Sequence, residues 1–117
     1  MVSRAGRKWE KARLFALGLP EAWEDHPWGE VVAKVGKKVF VFMGTPDSDP
    51  VRVCLKLTDS HHHALSIQGA APAGYGLGRS GWVLVPVATV TDDLIEDWVE
   101  ESYRNVAPKR LVAQLLH

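Results

Sequence analysis

Between Val51 and Leu57 the chain alternates strictly: Val51, Val53, Leu55 and Leu57 fall on one side, Arg52, Cys54 and Lys56 on the other. A period of two predicts a strand in a sheet with one buried face. Val31–Val35 and Lys38–Met43 read as two further strands joined through a Gly36-Lys37 hairpin turn. Trp82–Val87 reads as a fourth, and Pro86 places it near an edge or at a strand end. The helical period appears first in residues 4–17, where Trp9, Ala12, Leu14, Phe15 and Leu17 recur and Gly18 with Pro20 supplies the stop. Residues 20–24 read as one short turn. Asp59 or Ser60 is positioned to cap a short helix from His61 to about Gln68.

Thr91-Asp92-Asp93 opens the clearest helix, with Leu94, Ile95, Trp98, Val99 and Ser102 as its inner stripe. Asp92 and Asp93 sit where the helix dipole favours negative charge. Pro108 ends that segment and starts a last helix, Lys109 to Leu116. Residues 44–50 and 69–74 are loops by composition. The order α-β-β-β-α-β-α-α predicts an α+β fold, an antiparallel sheet covered by helices on one face.

Length and composition narrow the class. At 117 residues the expectation is one domain, 1–117. With 46% hydrophobic residues it is rich enough for a core without metals or disulfides. Cys54 is the sole cysteine, so no intramolecular disulfide forms and a reducing, cytoplasmic setting is expected. No apolar run approaches the ~18 residues of a membrane span, and Trp9-Glu10-Lys11 interrupts what a signal peptide would need.

The net charge of zero conceals segregation. Residues 1–13 hold five basic residues and one acid, residues 20–30 four acids and no Lys or Arg. Residues 31–58 hold Lys34, Lys37, Lys38, Arg52 and Lys56 against Asp47 and Asp49, and residues 91–101 hold six acids and no base. Such blocks create local fields even when the total cancels.

Several motifs together carry a family resemblance. They are Leu19-Pro20, Asp25-His26-Pro27-Trp28-Gly29, the Lys34…Gly36-Lys37-Lys38-x-Phe40 hairpin, Val53-x-Leu55-Lys56, Tyr75…Arg79-x-x-Trp82 and Asp93-Leu94-Ile95…Ser102-Tyr103. In this order they resemble the MmcQ/YjbR family of small bacterial domains, over residues 19 to about 110. The resemblance implies an α+β fold similar to frataxin-like and secretion-chaperone-like structures. It also implies DNA binding, because two β-hairpins of the family resemble a double wing. One segment departs from the family pattern: Gly76 and Gly78 stand where His and Asn are usual, and Arg79 stands for Lys.

The candidate chemistry is nucleic-acid contact. Lys34, Lys37, Lys38, Arg52 and Lys56 on strands and hairpin suit phosphates, with Arg79 beside them, and Tyr75 and Trp82 suit stacking on bases, while Trp82 reads equally as core packing. The expected partner is DNA, bound weakly and without sequence preference. The alternatives are a protein partner at the sheet edge or the acidic helix, and a small-ligand pocket near Trp28, Tyr75 and Trp82. Strand charges that merely keep a half-buried sheet soluble remain the bland account.

No catalytic residue, cofactor or metal is expected. Consecutive helical residues point about 100° apart, so His61-His62-His63 does not converge on one ion. Cys54 has positive neighbours that lower a thiol pKa, yet nothing frames it as a nucleophile; it reads as a half-exposed strand residue. His26 reads as a turn residue whose ring bonds a neighbouring backbone group.

Overall fold

The apolar side of the Val51–Leu57 alternation is buried as read, and its polar side is only partly open. In the computed structural model, which describes residues 3–115, Val51, Val53, Leu55 and Leu57 are all buried while Arg52 is exposed and Lys56 half-buried. The element order is α1 (Arg4–Leu17), β1 (Ala22–Asp25), β2 (Val31–Val35), β3 (Lys38–Gly44), β4 (Arg52–Lys56), α2 (His61–Ser66), β5 (Ala71–Pro72), β6 (Trp82–Pro86), α3 (Asp92–Val106) and α4 (Lys109–Val112). The six strands form one antiparallel sheet in the order β1-β2-β3-β4-β6-β5. The fold is α+β.

Two strands escape the hydrophobic pattern. The segment read as a turn at residues 20–24 continues into β1, which pairs with β2 and forms one edge. Two residues of the loop at 69–74, Ala71 and Pro72, pair with β6 as the other edge. Pro86 closes β6, at the strand end where its missing amide costs no ladder bond.

The helices supply the other layer. α1 and α3 pack against each other and against one sheet face, with α2 and α4 at the periphery of the same core. From α3 come Ile95, Trp98, Val99, Ser102 and Tyr103, all buried; Leu94 is half-buried. Tyr103 meets Phe40 edge-on at 5.2 Å and its hydroxyl donates to the Pro20 carbonyl. Thr91 caps α3, its Oγ1 accepting from the Leu94 amide.

Three helix details differ from the sequence reading. The buried stripe of α1 is Gly6, Trp9, Ala12 and Ala16, whereas Leu14 is 59% exposed. At α2 Ser60 occupies the cap position, but its hydroxyl donates to Glu101 instead of capping. α2 itself stops at Ser66 and α4 at Val112; Leu116, where the last helix was expected to end, lies outside the described residues.

Candidate functional site

The strand registers decide which cations meet. Lys56 at the end of β4 lies opposite Trp82 at the start of β6, and one step beyond the Val41–Leu55 pair, level with Phe40. The Gly36-Lys37 turn and Lys38 lie further in the same direction. Arg79 occupies the 3-10 turn Leu77–Ser80 just before β6. Lys37, Lys38, Lys56 and Arg79 therefore gather at one end of the sheet. The first two and Arg79 are exposed. None of these four cations has an acidic partner among the described residues. Lys109 adds a further base across a depression of about 490 Å³ that Lys37 and Lys38 also line.

Two acids lie near this end. The Glu101 carboxylate is turned inward, accepting from the Thr58 and Ser60 amides at 2.9 and 3.1 Å and from the Ser60 hydroxyl at 2.7 Å. Asp59 is exposed and offsets one charge. The end remains positive.

Other expected contacts are placed elsewhere. Arg52 opens β4 at the opposite end, opposite Pro86 and about 13 Å of strand from Lys56. It borders a depression of about 220 Å³ with Phe42, Cys54, Leu84 and Glu30. Lys34 is neutralised: its Nζ lies 2.8 Å from Asp25 and 5.1 Å from the centre of the Trp23 ring. The same hydrogen bond, with help from the His26 amide, holds the Asp25 carboxyl below the usual carboxylate range.

Trp82 does not offer a stacking face. It is 8% exposed and packs edge-on against Phe42 at 5.1 Å, because both side chains emerge on the sheet face away from the helices. Cys54 shares that face and is buried under the same neighbours, so the half-exposed thiol expected from alternation is absent. Burial pushes the thiol up to about 12, the reverse of activation by Arg52 and Lys56.

Tyr75 is fully exposed, as is Trp28, which is 98% accessible. Both occupy the left-handed region, at φ 58° and 53°. Each precedes a glycine also at positive φ, and this aromatic-Gly pairing was the one available signal. They sit on the β1–β2 and β5–β6 connections, at opposite edges of the sheet, so with Trp82 buried no common pocket forms among the three. Tyr75 immediately precedes the turn that carries Arg79, whose amide donates to the Gly76 carbonyl. At Gly78 a Cβ would stand 2.9 Å from the Ala73 carbonyl oxygen and from Pro72 Cβ, so this loop has closed onto β5 at a position that has no room for a side chain.

The histidines do not converge. His61 and His62 rings stack edge-on at 5.7 Å while His63 packs against Trp98 at 5.3 Å. His26 Nε2 meets the Glu24 carboxylate at 2.7 Å, a side-chain partner in place of the backbone group expected. Among the described residues no group of three or more His, Cys, Asp or Glu is placed to hold a metal ion, and no helix is long and apolar enough to cross a membrane.

This architecture, an antiparallel sheet with helices on one face and a cationic end, defines an α+β domain of a known kind. The YjbR family model matches residues 17–105, and the chain belongs to that family. It is similar to the crystal structure of Deinococcus radiodurans protein DR2400, a DUF419 domain, with 28% identity and a TM-score of 0.66, over 84% of this chain and 77% of that one. No curated protein matches the sequence.

Proposed function

We propose that the domain is a non-catalytic nucleic-acid-binding module that holds phosphate backbones weakly and without sequence preference at the cationic end of its sheet. The observation that carries the reading is that Lys37, Lys38, Lys56 and Arg79 share this end with no acidic partner among the described residues. Unpaired cations carry a full charge toward a polyanion, and each phosphate they neutralise releases counterions. Tyr75, exposed beside Arg79, adds a ring on which an unpaired base can stack. DNA is the expected ligand. Affinity in the micromolar range fits a handful of contacts on an open surface.

Anisotropy titration of labelled duplex and single-stranded oligonucleotides at low salt tests the reading. Binding by the native chain, weakened at least tenfold when Lys56 and Arg79 are both changed to Ala, supports it. Equal binding by the variant, or none by either, refutes it.

A protein partner on the sheet face away from the helices is the second reading. The apolar centre of that face, Phe42 and Leu84 between Arg52 and Lys56, favours it. A self-associated species in sedimentation that is lost on Phe42→Glu, with nucleic acid ignored, would put this reading first.

A further inference from the structure

The strongest charge pattern outside that site lies on α1. Arg4, Arg7, Lys8 and Lys11 recur at i, i+3, i+4 and i+7, so one stripe carries four cations along about 10 Å of helix. They ring a depression of about 280 Å³ that Asp92 of α3 closes on the far side. Lys8 and Lys11 reach that carboxylate at 2.8 and 3.4 Å. Arg4 and Arg7 are exposed and have no acidic partner among the described residues. Glu10, the acid of the same helix, is taken by Arg13. One carboxylate thus faces four cations.

This arrangement works against the helix that carries it. Like charges three and four apart repel. The stripe also occupies the first turns of α1, where the dipole disfavours cations and the first turn holds no acid. Folding gains nothing visible from Arg4 and Arg7, which points to a ligand.

Its position is equally informative. The Trp9 indole donates to the Met43 carbonyl at 2.7 Å, placing the first half of α1 beside the end of β3, where β4 starts and β6 finishes. The Lys37–Arg79 group lies at the other ends of these same strands. The molecule therefore carries two separated cationic surfaces along a body whose longest dimension is 38 Å.

We propose that the α1 stripe is a second phosphate-binding surface, which lets one copy of the domain hold two nucleic-acid segments at once. A stripe of about 10 Å spans roughly three phosphates of one strand, at about 3.4 Å of axis each. The inference rests on the nucleic-acid reading above.

The test is a bridging assay. One duplex is fixed on beads, a second fluorescent duplex is free, and the full chain is added at low salt. The native chain should retain the free duplex. An Arg4→Gln/Arg7→Gln variant should lose that retention while still binding a single duplex at the Lys37–Arg79 end, with the salt slope of that binding unchanged. A melting scan confirms that the variant is folded, and an Arg7→Gln single variant, with retention reduced and single-duplex binding kept, serves if it is not. Retention undiminished in the variant, including retention through self-association, overturns the inference. So does a native chain that binds one duplex and retains no second, an outcome that leaves the first site standing. No duplex binding at all takes down both.

Discussion

The Ser102 hydroxyl stands where Lys56 would meet its next partner across the sheet. β3 and β4 pair only at Val41–Leu55 and Phe42–Cys54, and the following rung would join Phe40 to Lys56. Instead Ser102 Oγ accepts from the Lys56 amide at 2.8 Å and donates to the Phe40 carbonyl. Asn105 Nδ2 donates to the Lys56 carbonyl at 2.9 Å. Helix α3 thereby holds the strands at the spread end of the sheet, where the cations gather.

Changing Ser102 to Ala should remove both bridges and leave the Phe40 carbonyl and Lys56 amide buried without partners. The expected cost is about 1–3 kcal/mol in urea denaturation. A loss under 0.5 kcal/mol would mean that the strands close and make the rung themselves.

Trp98 is 1% exposed and lies in the centre of the core. Trp98→Ala should destabilise by roughly 3–5 kcal/mol. Survival of the fold with under 1 kcal/mol lost would contradict this packing.

Putting Asn at position 78 should destabilise, since its Cβ would press on the Ala73 carbonyl oxygen. Overpacking of this kind typically costs about 1–3 kcal/mol. A Gly78→Asn chain as stable as the native one would show that the Tyr75–Arg79 loop readily opens.

The Cys54 thiol, pushed up to about 12 by burial, should resist alkylation at pH 8 in the folded chain and react fully in denaturant. Rapid modification of native protein would contradict its burial.

Acid should weaken the fold through Glu24 and Asp92. The hydrogen bond from Arg13 lowers the Glu24 carboxyl and the one from Lys8 lowers Asp92. A depressed folded-state pKa gives stability that is present above the unfolded value, about 4. That stability is lost as pH falls through the lowered one. Urea midpoints should therefore decline below about pH 4.5, and the decline should be shallower in Glu24→Gln. An identical decline in that variant would assign acid loss to other groups.

The sequence made the centre of this molecule legible and its edges obscure, for physical reasons. Strand β4 and helix α3 each bury one complete face, so their periods are clean. β1 is an edge strand with Trp23 exposed and Glu24 and Asp25 in ion pairs, so no alternation of apolar residues marks it. Missing β1 also hid the Asp25 that neutralises Lys34. In α1 the buried stripe apart from Trp9 is small residues, Gly6, Ala12 and Ala16, and hydrophobicity draws attention to Leu14 instead. Alternation places Cys54 on an open polar face and leaves Trp82 between stacking and packing, but large neighbours on an uncovered sheet face can bury one another without a helix. The cationic end was half legible: Lys37, Lys38, Lys56 and Arg79 follow from hairpin and strand positions, while Lys109 joins them only through the packing of α4.

The central claim is that the hairpin cations meet phosphates, and the salt dependence of duplex binding tests it most directly. Each contact contributes about 0.9 to the slope of log K against log salt. Lys37→Ala/Lys38→Ala, at an exposed turn, should flatten that slope by nearly two units with the melting temperature unchanged. A folded double variant with the native slope, or a native chain that ignores duplex DNA at the lowest salt, would contradict the account.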